Sequence, residues 1–275
     1  MTVGIVGLGL MGGSFALSLQ KYNISTTIYG YDHNITHQKQ ALELNLVNEI
    51  VSLEKLKTSD IIILAIPVDG IIKFLNNIGE VSLNTTIIDF GSTKELIIQN
   101  IPENLKSNFI PAHPMTGTEK FGPTAAIDNL YEDKTIVLCD LDVCNEQHKH
   151  KAIKLFEKIN MNIVYMNSKE HDIHTSYISH LPHAISYALA NTVMEHEDPK
   201  NIISLAAGGF RDMSRIAKSS PAMWTDIFRQ NKDNILDGID IFEKQMSDIK
   251  QMLEDENYEE ISHWMSKANS LHDIL

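Results

Sequence analysis

The feature that most constrains the fold is a glycine-rich turn directly after the first apolar run of the chain. Residues 3–6 are apolar and lead into Gly7-Leu8-Gly9-Leu10-Met11-Gly12, and an amphipathic stretch follows. In a Rossmann-type unit, the first glycine permits a tight turn, the second lets the backbone approach a pyrophosphate, and the third lets the helix pack closely on the strand. The free N–H groups at the helix start then face the phosphates. The pattern predicts a dinucleotide-binding domain, whereas the glycines without this context would indicate only a turn.

An acidic residue, Asp32, ends the next apolar run and bears on which dinucleotide is bound. A carboxylate at this place accepts hydrogen bonds from the adenosine ribose hydroxyls and would repel a 2′-phosphate. His33 and Asn34 follow it, with no arginine or lysine beside it. The sequence therefore predicts a preference for NAD over NADP. The residues expected to line the cofactor site are Gly7, Leu8, Gly9, Met11, Gly12, Asp32 and Pro67.

Apolar runs alternate with helix-period segments through the first part of the chain, and this rhythm predicts a mostly parallel sheet flanked by helices. The predicted strands lie at residues 3–6, 27–31, 61–66, 86–89, 108–111, 135–138 and 162–165. The predicted helices between them lie at residues 35–46, 68–78 and 145–159. Because ligands bind beyond the carboxyl ends of the strands in such sheets, the turns after Pro67, Phe90 and Ala112 are expected to face the cofactor.

The strand signals stop near residue 168, and amphipathic segments continue from there. The expected organisation is an α/β fold with an N-terminal Rossmann-type NAD-binding domain at residues 1–167 and a C-terminal all-helical domain at residues 168–275. Pro182 should kink the first of these helices because proline removes a backbone donor. Further helical segments are predicted at residues 221–246 and 255–274. Helical second domains on such folds often form dimer interfaces, so we expect a homodimer through this domain.

The charge balance and the absence of apolar spans narrow the possible partners. The chain has 36 acidic and 23 basic residues and a formal net charge of −13. This balance argues against nucleic acid and anionic membranes as partners. No apolar run approaches the ~18 residues of a membrane span, and the N-terminus has no basic segment followed by an apolar one. The only cysteines, Cys139 and Cys144, form no metal-binding motif, and Cys139 is expected in the core, so a reducing cytoplasmic location is expected.

Two polar segments follow predicted strands and so belong at the carboxyl edge of the sheet. The first, residues 89–94, contains Ser92, which also forms a capping-box pattern with Glu95, so local evidence favours a helix cap. The second, residues 113–122, begins with His113. A histidine there can be neutral and accept a proton near a nicotinamide at pH 7. Without further support, a structural loop histidine explains that pattern equally well.

A third polar segment, residues 179–183, lies on the helix that Pro182 interrupts. His180 and His183 have a spacing compatible with metal binding, but no third ligand with suitable spacing follows, so no metal site is predicted. A serine beside a histidine also suggests nucleophilic catalysis. No GxSxG nucleophile elbow is present, and the dinucleotide turn points to different chemistry.

Arginine is rare in this chain and confined to one region. Among the 23 basic residues only Arg211, Arg215 and Arg229 are arginines. Chance in a lysine-rich composition is one explanation. The favoured one is that a rigid, permanently charged fork is needed there to bind a carboxylate.

Taken together, these segments resemble the prephenate dehydrogenase family, the NAD-dependent enzymes of tyrosine biosynthesis. The resemblance rests on GLGLMGGS at 7–14, GYD at 30–32, GSTK at 91–94, HPMTGTEKFGP at 113–123, SHLPHA at 179–184 and GGFRDMSRIAKSSPAMWTDIF at 208–228. The histidine block and the last block are specific, whereas the glycine turn alone is not. We expect neither a chorismate mutase segment before these blocks nor a regulatory domain after them.

The resemblance implies a reaction in which prephenate loses a hydride from ring C4 to NAD⁺ while CO₂ leaves from C1, giving 4-hydroxyphenylpyruvate. It implies that His113 accepts the proton of the C4 hydroxyl, that Ser92 orients His113 and this hydroxyl, and that Arg215 binds a substrate carboxylate. It also implies that Arg211 helps to bind the substrate or acts as a cation beside the cofactor, and that Trp224 approaches the pocket, either within its own chain or from the partner subunit. Glu119 and Asp212 are weaker candidates for ion pairs that gate entry. The full set of implied substrate-binding residues is Arg215, His183, Ser179, Gly208, Thr118, Trp224 and Arg211.

Three alternatives remain at this point. Arogenate dehydrogenase uses the same chemistry on a substrate with an amino group in place of the keto group, and the loops do not decide between the two. Another two-domain NAD-dependent hydroxy-acid dehydrogenase would rely on a lysine in the helical domain, whereas the matched blocks offer histidine and arginine. A catalytically inactive NAD-binding sensor is disfavoured because Ser92, His113 and Arg215 are all present.

Overall fold

The computed structural model describes residues 1–274, and its centre is an eight-stranded sheet of order β3-β2-β1-β4-β5-β6-β7-β8. Neighbouring strands are parallel except β6 and β7, which are antiparallel. In chain order, strands β1 to β8 span Thr2–Val6, Thr27–Tyr31, Glu49–Ile50, Ile61–Leu64, Thr86–Asp89, Phe109–Pro114, Thr135–Cys139 and Asn162–Met166. Strand β4, which lies inside the sheet, is wholly apolar and buried, as expected for a parallel strand covered on both faces.

The helices cover the sheet and then form a helical region that follows β8. In chain order, helices α1 to α13 span Leu10–Lys21, Ile35–Glu43, Leu53–Leu56, Val68–Asn77, Glu95–Gln99, Glu146–Lys158, Ser168–Thr175, Leu181–His196, Pro199–Leu205, Gly208–Ser214, Pro221–Gln230, Lys232–Glu254 and Tyr258–Asn269. The α/β class with a helical C-terminal part is confirmed.

The predicted strands are all present, and the difference that matters for the site is the length of β6. Strand β6 continues to Pro114, three residues beyond the predicted end, so His113 lies within a strand and not in the loop after it. This extension pairs with β7 in antiparallel register, which places His113 opposite Val137. The two-residue strand β3 was not predicted, because so short a segment has no apolar alternation.

An aromatic cluster fixes the helix that follows the glycine turn. Phe15 of α1 packs against Phe90, Tyr131 and Phe156, with ring centroids 5.0, 5.3 and 6.4 Å away. Such edge-to-face pairs contribute about 0.5–1.5 kcal/mol each beyond their buried area. The Tyr131 hydroxyl also donates to the carbonyl of Met11 at 2.7 Å. The first turn of α1 is therefore held firmly against the sheet.

The predicted interruption at Pro182 takes the form of a π-helical turn. Helix α7 is followed by π-helical residues Ser176–His180, and α8 begins at Leu181 with Pro182 in its first turn. Proline is tolerated in a first turn because the N–H that it lacks would have no intrahelical partner there. The buried side chains of α7 come before this turn, whereas Ser186 is the only fully buried residue of α8 after it.

The described residues divide into two compact units. The first spans Met1–Asn231 and contains the whole sheet together with helices α1 to α11. The second begins at Lys232 and is an antiparallel pair, α12 and α13, in which the Trp264 indole donates to Gln245 Oε1 at 2.9 Å. The boundary predicted at residues 167–168 falls inside the first unit and stays a prediction.

Candidate active site

The glycine turn after β1 has the geometry that a dinucleotide requires. Gly7 has φ +88°, and a Cβ on it would lie 2.4 Å from the carbonyl oxygen of Ala65. A Cβ on Gly12 would lie 1.9 Å from the carbonyl oxygen of Gly7, so only glycine allows α1 to pack this closely. Gly9 is different, because the nearest atom to its added Cβ is Gly122 N at 3.9 Å. The surface above Gly9 is thus open to a ligand.

The carboxylate of Asp32 lies directly after β2 and is held beside this turn. Its Oδ2 accepts from the Leu8 amide and its Oδ1 from the Asn34 amide, each at 2.8 Å. The imidazoles of His33 and His37 each lie 3.5 Å from it. Gly9 is the N-cap residue of α1, and no described side chain caps this helix, so its first N–H groups are available to an anion. These residues fit the dinucleotide that the sequence predicts.

A buried ion pair joins the ends of β5 and β6. Lys94 is completely buried, and its ammonium donates to the Asp89 carboxylate and to the carbonyl of Ala112 at 2.8 Å. The Asp89 carboxylate also accepts from the Ala112 amide at 3.1 Å. Burial raises the pKa of Asp89, and the neighbouring Lys94 opposes this rise. The pair joins the turn that carries Ser92 to the strand β6 residue that precedes His113.

The helix cap predicted at Ser92 is wrong. Helix α5 starts at Glu95, and its cap is the side chain of Asp172 on α7, which accepts from the amides of Lys94 and Glu95 at 2.8 and 2.9 Å. A carboxylate from another helix satisfies the free donors better than a local serine because it offers two oxygens and a full charge. Ser92 is partly exposed and takes no part in this cap.

His113 is oriented by a second histidine. Its Nδ1 lies 2.8 Å from Nε2 of His171, and Nδ1 of His171 lies 2.7 Å from Oδ1 of Asp172. His171 and Asp172 are buried, whereas His113 is partly exposed. Since Nδ1 of His113 is engaged, only its Nε2 remains for a ligand. The role of Ser92 in orienting His113 stays a prediction.

The surroundings of His113 disfavour its protonated form. Desolvation by the surrounding protein lowers the pKa of His113 well below 6.5, and the rings of His171 and His180 and the buried ammonium of Lys94 act in the same direction. Burial likewise lowers the pKa of His171, although its hydrogen bond to Asp172 opposes the change. His113 is therefore neutral at pH 7 and able to accept a proton.

Trp224 of α11 packs against two histidines of its own chain. Its ring stacks on His183 with centroids 3.5 Å apart and meets His180 edge-on at 5.9 Å. The tryptophan is buried, yet its indole Nε1 has no hydrogen-bond partner within residues 1–274. A contribution of this tryptophan from the partner subunit stays a prediction. Nδ1 of His183 lies 2.9 Å from the carbonyl of Ser179, which leaves Nε2 free.

The three arginines differ in how fully their charge is already used. Arg215 begins a 3₁₀ turn, is more than half exposed, and has only a loose contact of 3.8 Å with Glu119. Arg211 donates to the carbonyl of Ala206 at 2.9 Å, and Arg229 pairs with Asp69 and Asp226. Arg215 is thus the arginine most available to a carboxylate.

The remaining predicted residues lie at the starts of two helices and in the loop after β6. Pro67 is the N-cap residue of α4, and Gly208 starts α10 with no atom near its open side. Thr118 lies in the loop after β6, where its hydroxyl accepts from the Lys120 amide at 3.2 Å. That loop reaches the glycine turn at Gly122, so the His113 strand and the cofactor turn share one edge of the sheet.

His171, Asp172 and Asn231 are the important residues that sequence reasoning missed. Asn231 donates to the Asp172 carbonyl at 2.7 Å and lies 3.0 Å from Nδ1 of His180. The available signal was that residues 171, 172 and 175 recur at helical spacing. Periodicity alone assigns such polar residues to the solvent side, and here they face the core because they bond to one another and to α5.

Within residues 1–274 no group of three or more histidine, cysteine, aspartate or glutamate side chains is arranged to hold a metal ion. None of the helices in this part of the chain is both long and apolar enough to cross a membrane.

Comparison with known proteins links this geometry to one family. The family profile described as prephenate dehydrogenase, nucleotide-binding domain, matches residues 15–165, and the one described as prephenate dehydrogenase, dimerization domain, matches residues 167–267. Prephenate dehydrogenase of Bacillus subtilis (strain 168) is 32% identical over an alignment that covers 100% of this chain and 76% of that protein. Cyclohexadienyl dehydrogenase of Zymomonas mobilis is 30% identical, with 91% and 86% covered.

Solved structures give the same result. The crystal structure of prephenate dehydrogenase from A. aeolicus, in complex with hydroxyphenyl propionate and NAD⁺, superposes with a TM-score of 0.92 at 32% identity and covers 99% of this chain and 97% of that one. Arogenate dehydrogenase of Synechocystis superposes with a TM-score of 0.79 at 25% identity, with 99% of both chains covered. With two family profiles that follow one another along its length, and with relatives in sequence and structure that match at least 99% of it, the chain belongs to the prephenate dehydrogenase family.

Proposed function

We propose that the protein is an NAD-dependent dehydrogenase that oxidises and decarboxylates prephenate to 4-hydroxyphenylpyruvate. The observation that carries this proposal is the position of His113, held by a hydrogen bond to His171 at the same sheet edge as the open glycine turn. A dehydrogenase needs a base for the hydroxyl proton next to the group that takes the hydride, and this edge provides both places. The family membership supports the choice of substrate.

His113 is the base in this proposal. Its Nε2 accepts the proton of the C4 hydroxyl as that carbon loses its hydride and becomes a carbonyl. Loss of CO₂ from C1 then leaves an aromatic phenolate, which takes the proton back from His113 and becomes the phenol of 4-hydroxyphenylpyruvate. Ser92, at the end of the neighbouring strand, is proposed to hydrogen-bond the same hydroxyl. A base of low pKa remains deprotonated at pH 7, so every molecule is ready to accept this proton.

The carboxylates of prephenate require cations, and Arg215 is proposed to bind one of them. Its guanidinium is exposed and only loosely paired with Glu119, so a substrate carboxylate can displace that contact. Glu119 lies in the loop after β6, and the exchange would couple substrate binding to this loop. The indole N–H of Trp224, which has no partner among the described residues, offers a further donor nearby. Nε2 of His183 offers an acceptor, because Nδ1 of that ring donates to the Ser179 carbonyl.

NAD is proposed to lie over Gly9 with its pyrophosphate at the start of α1 and its adenosine ribose at Asp32. The nicotinamide's part in the chemistry is to accept the hydride that leaves ring C4. Asp32 disfavours NADP because its carboxylate, already fixed by two backbone amides, would face the 2′-phosphate.

A homodimer is proposed from the helical part of the chain. The profile that matches residues 167–267 is that of a dimerization domain. Helices α12 and α13 expose apolar side chains that a monomer would leave in water, among them Ile241, Leu253, Tyr258 and Met265, each at least half exposed. Sedimentation equilibrium should give twice the 31.0 kDa chain mass. A monomer at micromolar concentration contradicts the proposal.

The experiment that tests the activity is a steady-state assay of NADH formation with purified protein. Prephenate and arogenate are each offered with NAD⁺ and with NADP⁺, and kcat/KM is compared across the four pairs. We expect the highest value for prephenate with NAD⁺. Turnover of arogenate alone would keep the chemistry and change the substrate, whereas no turnover of either, with NAD still bound, would overturn the proposed function.

A further inference from the structure

We infer that Asp172 and His171 form a positioning relay that keeps the proton of His113 on Nδ1 and so leaves Nε2 as the proton acceptor. The inference rests on the proposed function, in which His113 is the base. It assigns a role to two buried residues of α7 that do not line the ligand site themselves. The contacts of Asp172 determine which nitrogen of each histidine carries the proton.

The Asp172 carboxylate can act only as an acceptor toward its neighbours. Its Oδ1 accepts from the Lys94 amide at 2.8 Å, and its Oδ2 accepts from the Glu95 amide at 2.9 Å. These two amides start α5, where the helix dipole favours a negative charge. The contact of 2.7 Å from Oδ1 to Nδ1 of His171 must therefore be donated by the histidine.

The tautomer of His171 follows from this donation. Burial lowers the pKa of His171, so the ring is neutral and carries one proton. That proton is on Nδ1, because Nδ1 donates to Asp172. Nε2 of His171 consequently has a lone pair, and its only contact at hydrogen-bond distance within the described chain is Nδ1 of His113 at 2.8 Å.

The tautomer of His113 follows in turn. Two neutral imidazoles can share this hydrogen bond only if Nδ1 of His113 donates to the lone pair of His171. The single proton of neutral His113 is then on Nδ1, and Nε2 is the acceptor. The other tautomer would set two lone pairs against each other at 2.8 Å and would present an N–H to the substrate hydroxyl.

The relay also matters after the proton has moved. When Nε2 of His113 takes the hydroxyl proton, the ring becomes a cation whose Nδ1–H still donates to His171. His171 is in turn polarised by Asp172, so the new charge is stabilised without water. His113 takes only the hydroxyl proton, while the hydride of ring C4 goes to NAD⁺, and the proton returns to the phenolate oxygen after CO₂ has left.

Two conservative variants separate this role from simple packing. In His171→Gln the side-chain amide oxygen can occupy the place of Nε2 and accept from His113. In His171→Asn the shorter amide can occupy the place of Nδ1 and donate to Asp172, but nothing accepts from His113. We expect His171→Asn to lower kcat by about 10²-fold, the lower range for general acid–base catalysis, with the KM for NAD⁺ unchanged. His171→Gln should keep kcat within about tenfold of the wild type, since the acceptor is retained.

His148→Gln is the matched control. His148 is as deeply buried as His171, and its nitrogens contact Thr86 Oγ1 at 2.7 Å and the Leu83 carbonyl at 3.1 Å, away from the site. This variant should lose thermal stability and keep kcat. If the role of His171 were structural, both His171 variants would resemble this control. Their kcat values would then not depend on whether the acceptor at Nε2 or the donor at Nδ1 had been kept.

A direct measurement does not depend on the variants folding. Nitrogen-15 NMR of histidine-labelled wild type at pH 7.5, with His113 assigned from the signals lost in His113→Asn, reports which ring nitrogen carries the proton. Protonated Nδ1 and unprotonated Nε2 are expected. A proton on Nε2, or equal kcat values for the His171 Asn and Gln variants, would overturn the relay even when the wild type turns prephenate over. Failure of the wild type to turn over any substrate would overturn the proposed function instead.

Discussion

At the scale of single residues, the decisive group is His113, because its free nitrogen is the only part of the relay that a substrate can reach. Replacing it with asparagine removes the base while keeping a polar side chain of similar width. We expect His113→Asn to lower kcat by about 10²–10⁴-fold, with little change in the Kd for NAD⁺. Steady-state kinetics and a fluorescence titration with NAD⁺ measure the two quantities. His150→Asn, at an exposed position of α6, is the control and should change neither. A near-normal kcat in His113→Asn would remove this residue from the mechanism.

The arginines give a second prediction at this scale, because one of them is loosely paired and another is fully paired with carboxylates. Arg215 has one loose contact with Glu119, whereas Arg229 is bound by Asp69 and Asp226. A hydrogen bond to a charged group contributes about 1.5–3 kcal/mol, so Arg215→Ala should raise the KM for prephenate roughly 10–100-fold. Arg229→Ala should leave it within about threefold, as expected for an exposed ion pair. Weaker NAD⁺ binding as the only effect of Arg215→Ala would refute the assignment.

At the scale of secondary-structure elements, the buried pair Lys94–Asp89 holds the ends of β5 and β6 together. Removing one partner of a buried pair leaves an uncompensated group, so we expect Lys94→Met to lower the free energy of unfolding by about 3 kcal/mol. The double variant Lys94→Met with Asp89→Asn should recover part of this loss, because the remaining amide is neutral. Urea unfolding measures the difference. Lys106→Met, which breaks the exposed pair with Glu103, is the control and should cost less than about 1 kcal/mol. Equal losses of unfolding free energy in Lys94→Met and Lys106→Met would contradict the structural role of the buried pair.

The elements also show how far sequence reasoning reaches. Three strands were predictable, namely the one before the glycine turn, the one before Asp32 and the one before Ser92. Each is an apolar run that ends at a turn, and such a pattern is local in the sequence. The relay was not predictable in this way. His171 and Asp172 act on residues that precede them by 58 and 77 or 78 positions, and this pairing depends on α7 packing against α5.

The failed helix cap has the same cause. The capping-box pattern at Ser92 and Glu95 is sound as a local rule, but a carboxylate from α7 competes for the same amides and binds them more strongly. Tertiary contacts also decided the place of Trp224, whose stacking partner His183 is on another helix. Local sequence patterns therefore predict where the candidate site lies, whereas contacts between helices determine which further side chains belong to it.

At the scale of the whole molecule, the cluster of buried histidines predicts sensitivity to acid. Burial lowers the pKa values of His113, His148, His171 and His183, and it lowers that of His180 to about 4. In the unfolded chain these histidines have a pKa near 6.5. At any pH between the native-state pKa and this value, the unfolded state therefore binds more protons than the native state. The free energy of unfolding must then fall as the pH falls below about 6.5. His180 alone accounts for about 3 kcal/mol between pH 6.5 and pH 4.

His180 allows this prediction to be tested on one group. It is buried, and its Nδ1 lies 3.0 Å from the side-chain amide of Asn231. Three charged or titratable groups face it. Asp172 raises its pKa, whereas His171 and His183 lower it. Urea unfolding at pH 7.5, 6.0 and 5.0, at one protein concentration because a dimer is expected, should show a steep loss of stability on acidification. In His180→Gln the loss should be smaller, since a neutral amide binds no proton, although this variant starts from a lower stability at pH 7.5. An unchanged slope in His180→Gln, or constant stability from pH 7.5 to 5.0 in the wild type, would mean that the buried histidines do not control the acid response of the molecule.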